Sequence, residues 1–465
     1  MSATEAPVIL GRICSAWRAI SLSAPRLWSR VHISEPTRPF LAPPYAFPPG
    51  LYEAKIMQLV DVAVAWLRRS GTCPLSISLE CGLDHDRDHI PSFTPLSTPN
   101  FFDVILVPFA SRWETISLKI PPVAVQALLR LTESDVPLLK SLTIVERPVN
   151  HGDHPEWEVP QGSVLQAPRL SKFSLAGADV LSSALPLRWG SLTALILMGT
   201  PWSGENDQTC QVVLEIFSKC SQLQTCVLCI HEPPDGGLQD SSGSPIECSF
   251  LHTLDMMCFS SPLDTFGRLL SRLAAPDLRD LKLRGAENME STLNAESLVS
   301  ALLNFVRLES ITIDSTIFSS PYLIDFLGGL SPTVQHLHIK ESWQPPFYQP
   351  SLEDDVFIAL EGSDLDHPVI LPALGELTIT GCRKVSDEVL LRFIVSRMPT
   401  LRHIDIQFDR EMQVDILPSL QAFLEAGVEI SVNYITIPSL RFSPWMGLAE
   451  GPSLDSDSEP WIPSL

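Results

Sequence analysis

The run CGLDHDRDH (81 to 89) sets Cys81, His85 and His89 at Cys-x3-His-x3-His spacing, which is half of a zinc site. Cys73 would have to supply the fourth ligand from across a strand. Read through Asp84, Asp86 and Asp88, the same run imitates a calcium loop. Such a loop needs glycine at its sixth position and glutamate at its twelfth, where this sequence has His89 and Pro95. The run therefore reads as a solvated loop after a strand, and no metal is expected. Cys226 and Cys229 form a Cys-x2-Cys pair, but on a strand residues three apart face opposite ways. Cys226 stands where neighbouring phrases carry leucine, so it reads as a small core residue. The sequence holds no phosphate-cradling, dinucleotide-binding, zinc-protease or serine-hydrolase motif. Neither catalysis nor a cofactor is expected.

The elements around these residues repeat. A phrase of the form Leu-x-x-Leu-x-Ile, often preceded by proline, occurs as PLLKSLTI (137 to 144), PRLSKFSL (168 to 175), GSLTALIL (190 to 197), SQLQTCVL (221 to 228) and SFLHTLDM (249 to 256). It continues as PDLRDLKL (276 to 283), VRLESITI (306 to 313), PTVQHLHI (332 to 339), PALGELTI (372 to 379) and PTLRHIDI (399 to 406). Weaker copies stand at 73 to 79 and 112 to 118, and a degenerate one at 428 to 432. Alternation such as Leu281-Lys282-Leu283 predicts a strand buried on one face. The stretches between are helical in pattern. QVVLEIFSKC (211 to 220) places Val213, Ile216, Phe217 and Cys220 on one face, and Ser386 caps a helix over 386 to 398. A strand and helix repeated about every 26 to 31 residues cannot bury a core alone and must stack on its neighbours. Polar residues between the leucines, such as Thr312, Thr378 and Asp405, require one wet sheet face, unlike a doubly wound sheet.

Composition sets limits. The chain has 465 residues and a net charge of −22, which argues against nucleic acid or an anionic membrane as partner. No stretch of 18 uninterrupted apolar residues occurs. The first ten residues lack the basic and apolar regions of a secretory signal, and the ten cysteines are scattered. A reduced protein of the cytoplasm or nucleus is expected.

The repeat resembles leucine-rich repeats of the longer type, with helices on the convex side. GCRKVSDEVL (381 to 390) is similar to the cysteine-bearing repeats of F-box proteins. The N-terminal phrase Ile13-Cys14-Ser15-Ala16-Trp17-Arg18-Ala19-Ile20, followed by Ser23-Ala24-Pro25-Arg26-Leu27-Trp28-Ser29, resembles the second half of an F-box of the kind abundant in mushroom-forming fungi. Ile9, Ile13, Trp17 and Ile20 fall on one helical stripe. The first F-box helix is missing: only MSATEAP precedes Val8. The resemblance implies a substrate-recognition subunit of a cullin–RING ubiquitin ligase, with the F-box docked on a Skp-type linker and the repeats holding a protein substrate. The alternative is a repeat scaffold without a ligase, in which Ile13, Trp17, Leu22, Pro25, Leu27 and Trp28 only cap the solenoid.

The expected organisation is a partial F-box over 1–34, a proline-rich linker over 35–50, a leucine-rich-repeat arc of about 11 to 13 strands over 51–432, and an acidic tail over 433–465. The fold class is α/β, a curved parallel sheet inside and helices outside. The expected partner surface is Asp255, Lys282, Arg284, Asp314, His338, Lys340 and Asp405, whose central basic group would meet an acidic feature of a partner. Trp202, Trp343, Phe347 and Tyr348 read as loop aromatics, and Ser456 stands before Asp457 in an acidic-kinase pattern.

Overall fold

Every one of these phrases is a strand. The computed structural model describes residues 7–35, 51–81, 98–146, 159–177, 185–199, 209–230, 244–258, 262–285, 296–341, 352–362, 369–398 and 400–435. The strands are β1 (Arg30–Ser34), β2 (Leu75–Glu80), β3 (Trp113–Ile120), β4 (Ser141–Glu146), β5 (Lys172–Ala176), β6 (Ala194–Met198), β7 (Thr225–Ile230), β8 (Ile246–Glu247), β9 (Thr253–Cys258), β10 (Leu273–Ala274), β11 (Asp280–Gly285), β12 (Ser310–Asp314), β13 (His336–Lys340), β14 (Glu376–Cys382), β15 (His403–Phe408) and β16 (Glu429–Tyr434). Fourteen of them form one parallel sheet in chain order, while β8 and β10 pair with each other. The sheet is one strand longer than the upper sequence expectation. The extra strand is β1, which lies in the segment read as a partial F-box yet pairs in register with β2.

The helices are α1 (Leu10–Ile13), α2 (Ser15–Ser23), α3 (Leu51–Arg69), α4 (Thr98–Ile105), α5 (Pro122–Leu129), α6 (Cys210–Lys219), α7 (Pro262–Ser271), α8 (Glu296–Leu302), α9 (Ser320–Gly328), α10 (Asp354–Glu361), α11 (Asp387–Arg397) and α12 (Leu417–Glu425). A parallel strand needs a crossover to return to its starting edge. The apolar face of each crossover helix covers the sheet. Val213, Ile216 and Phe217 of α6 are buried, as are Leu390, Phe393 and Ile394 of α11. Ser386 Oγ accepts from Val389 N, as its cap position predicts.

Register turns single leucines into continuous rows. Leu281 lies between Leu254 and Ile311, and Leu283 between Met256 and Ile313, all fully buried. Each such side chain contributes about 1.5–3 kcal/mol on burial. Cys226 lies in the same row between Leu195 and Leu254. Burial, then its neighbours Cys220, Cys248 and Asp255, push its thiol well up, so it is a packing residue and not a nucleophile. The chain is a leucine-rich-repeat solenoid.

Two glycines mark where strand ends meet. Gly177 and Gly381 have φ of 76° and 82°. A Cβ at either would strike a carbonyl oxygen of the adjacent repeat, that of Glu146 or Glu341. Glu341 itself is 5% exposed. Burial pushes its carboxyl up to about 7, against the pull of the Arg383 guanidinium and of the Arg383 and Leu352 backbone N–H groups. Because the folded value lies above the unfolded one, the ionised carboxylate costs stability above about pH 7. That cost fades as pH falls toward the unfolded value. Glu341→Gln is expected to be more stable than wild type by up to about 3 kcal/mol at about pH 8, with the gap closing near pH 5. Urea unfolding at the two pH values checks this, and an equal gap at both would contradict it.

Candidate protein-interaction surfaces

The N-terminal segment divides into a part that closes the core and a part that faces solvent. Pro25 opens a 3-10 turn, Pro25–Trp28, and lies over the turn at Gly71. The turn drives Trp28 inward until 3% of it is exposed. Trp28 meets Trp66 edge to face at 4.8 Å, lies under the Arg69 guanidinium at 4.8 Å, and its Nε1 donates to Ser21 O at 2.7 Å. Val31 and Ile33 of β1 are buried behind it. Trp28 is thus packed into the core beside β1, the placement a solenoid cap requires.

Most of the other large apolar residues do the opposite, although Val8 packs against the core. Ile9, Ile13, Trp17, Ile20, Leu22 and Leu27 are all exposed, Ile13 by 61% and Trp17 by 46%. The single helical stripe expected of Ile9, Ile13, Trp17 and Ile20 is broken. Cys14 is extended, with φ −158° and ψ 173°, so Ile9 and Ile13 belong to α1 and its entry while Trp17 and Ile20 belong to α2. Scattered exposed leucines need no explanation, but six large apolar side chains within nineteen residues do. Residues 7–34 carry four arginines and no acidic residue, in a chain whose net charge is −22. This face suits an apolar groove with an acidic rim.

The second surface is the open face of the sheet. Cross-strand register assembles its central row from His32, Ser78, Ser117, Thr143, Ser174, Ile196, Val227, Asp255, Lys282, Thr312, His338, Thr378, Asp405 and Ser431. Four of the predicted site residues stand in it: Asp255, Lys282, His338 and Asp405. Arg284, Asp314 and Lys340 occupy the adjoining row on the same face. The structure pairs the central cations internally. Arg284 holds Asp255 with both ends of its fork, Nε to Oδ1 at 2.9 Å and Nη2 to Oδ2 at 2.5 Å, and Lys282 Nζ lies 3.6 Å from Asp280. Burial raises the Asp255 carboxyl, and Arg284 and then Lys282 pull it back. His338 is held below its ordinary value by burial and by Lys340 and Lys282, with Asp405 opposing. The cluster is a neutralised network rather than an unpaired basic patch.

One feature of the face had no place among the predicted residues. β6 and β7 carry no charged side chain, and Ile196, Met198 and Val227 point outward there, half-buried. The sequence signal is the loss of alternation in ALILM and TCVLCI, where both parities are apolar.

Asp84, Asp86, Asp88, His85, His89, the proline-rich stretch 36–50, Trp202, Trp343, Phe347, Tyr348, Ser456 and the tail beyond Ile435 lie outside the described residues. Among the described residues no helix is long and apolar enough to cross a membrane.

No family model matches the chain, and no curated protein matches it. Among solved structures it is similar to a chain in the crystal structure of the Rad7 and Elc1 complex in yeast. The identity is 13% and the TM-score 0.38, over 75% of this chain and 87% of that one. It is also similar to the leucine-rich repeat-containing protein LegL7 from Legionella pneumophila. There the identity is 14% and the TM-score 0.37, over 72% of this chain and 96% of that one.

Proposed function

We propose that this chain is the substrate-recognition subunit of a cullin–RING ubiquitin ligase, acting in the cytoplasm or nucleus. α1, α2 and Leu27 dock on a Skp-type linker, and the open face of the repeats holds a protein substrate. The observation that carries the reading is the division at the N-terminus. The phrase that resembles an F-box buries Trp28 but leaves Ile13, Trp17, Ile20, Leu22 and Leu27 exposed among arginines. A cap alone has no use for that exposed half. In such an assembly the bond-forming chemistry belongs to the recruited conjugating enzyme. This chain contributes proximity, which raises the effective concentration of a substrate amine near the transferred thioester.

The test is co-expression with a Skp-type linker followed by size-exclusion chromatography. A stoichiometric complex is expected for the wild type. Trp17→Ala with Ile20→Ala should weaken it by at least about 30-fold, since a buried interface tryptophan is commonly worth 2 kcal/mol or more. Both residues are solvent-exposed, so the circular dichroism spectrum and unfolding midpoint should not move. Two separate peaks for the wild type would sink the proposal in favour of a repeat scaffold. The burial of Trp28, Val31 and Ile33 favours that second reading, because it gives the segment a structural task with no linker present.

A further inference from the structure

Cross-strand register assembles an uncharged panel at the middle of the open face. In the row on the C-terminal side, Val145 pairs with Ala176 and Ala176 with Met198. One step beyond the Leu197–Leu228 pair the row continues to Cys229, which pairs with Met257. Ile196 and Val227 stand beside it in the central row. Elsewhere these two rows are chiefly serine, threonine and charged residues. The apolar row crosses β4, β5, β6, β7 and β9, about 19 Å at ~4.8 Å per strand.

Its repeat matches a helix better than an extended chain. Successive turns of an α-helix advance ~5.4 Å, close to the strand spacing, whereas alternate residues of a strand advance ~6.7 Å. A helix laid across the strands would set about one apolar side chain over each strand. The charges at the border decide its chemistry. Asp255 and Asp280, the acids nearest the panel on its C-terminal side, are paired with Arg284 and Lys282. On the other side Lys172, directly beside Ala194, is exposed and has no ion pair among the described residues. The unmatched charge at the panel is therefore positive.

We propose that this panel seats an amphipathic helix of the recognised protein, with an aliphatic stripe bordered by a carboxylate that meets Lys172. The proposal rests on the reading of the open face as the recognition surface and specifies what that surface takes. It does not depend on the linker.

The probe is a fluorescein-labelled designed helix of about 14 residues, with leucines at heptad a and d positions and glutamates on both borders. A twin has lysines at the borders. Fluorescence polarisation is read with the full chain. The glutamate form is expected to bind at least about 10-fold tighter than the lysine form. Met198→Lys should weaken it more than about 10-fold, and Lys172→Glu, on an exposed side chain that does not affect folding, should reverse the preference. Absence of binding, or binding indifferent to Lys172→Glu, would overturn the proposal. So would a synthetic peptide of residues 436–465 that binds the panel while the designed helix does not. A dimer that Met198→Lys dissociates would likewise give the panel to a second copy. The same samples are scored for linker retention. Loss of the probe with the linker retained refutes only the panel, and loss of the linker with the probe bound refutes only the ligase reading.

Discussion

Trp28→Ala is expected to lower the stability of the N-terminal end by about 3–5 kcal/mol, the usual cost of truncating a buried aromatic. Three contributions add. The indole is 3% exposed, so its removal leaves a cavity under β1. Its edge contact with Trp66 and the covering Arg69 guanidinium are lost. The Ser21 carbonyl loses its donor. Because a repeat array is coupled chiefly through neighbours, the loss should appear first as fraying of β1 and α3 rather than as collapse of β14–β16. Urea unfolding followed by circular dichroism gives the magnitude, and limited proteolysis gives the location. Trp28→Phe should recover part of the loss. A change below about 1 kcal/mol would mean that Trp28 does not close the core.

At the other end Asp387→Ala is expected to cost a similar amount, about 3–5 kcal/mol, because it takes the carboxylate from the half-buried Arg410 and leaves the Gln413 and Val414 N–H groups and the Tyr434 hydroxyl without their acceptor. Asp387 is fully buried. It accepts from Arg410 Nη2 at 2.5 Å, Gln413 N at 2.8 Å, Val414 N at 2.7 Å and Tyr434 Oη at 3.1 Å. Arg410 in turn lies over the Phe408 ring at 4.1 Å, and Phe408 stacks on Tyr434 at 4.9 Å. One carboxylate thereby ties α11, the loop after β15 and β16 together. Burial alone would raise its pKa. The hydrogen bonds from Arg410, Val414 and Gln413 outweigh that and hold it below the usual carboxylate range. Its stabilisation is therefore present above the unfolded-state value, about 4, and is lost as pH falls through the lower folded value. Hydrogen exchange should show β16 losing protection in Asp387→Ala while β11–β13 keep theirs. Uniform loss across the sheet would contradict this local role.

The repeat was legible because two periods coincide. Leu281 and Leu283 alternate within a strand, and the same pair recurs about one repeat later as Ile311 and Ile313. The helix face of Val213, Ile216 and Phe217 was legible for the same reason. Cross-strand relations were not. That Arg284 would take Asp255, 29 positions away, depends on the register of β9 and β11. Asp387 finds partners 23 to 47 positions along the chain, and no local pattern announces them. Val31-His32-Ile33 reads as strand-like, but its place in the array was not legible because it offers only two alternating apolar positions. The break at Cys14 carries no proline to mark it. The apolar panel was not legible because Ile196 and Val227 lie 31 positions apart and only the register of β6 and β7 sets them side by side.

Two jobs are proposed for one N-terminal segment: Trp28 caps the repeats, and the exposed α1–α2 face binds a linker. Hydrogen–deuterium exchange of the full chain, with and without a saturating Skp-type linker, tests this most directly. New protection is expected at about residues 9–27 alone, with β1 and α3 already protected in the free chain and unchanged on binding. Protection gained instead on the open face of the sheet, or none anywhere, would contradict it.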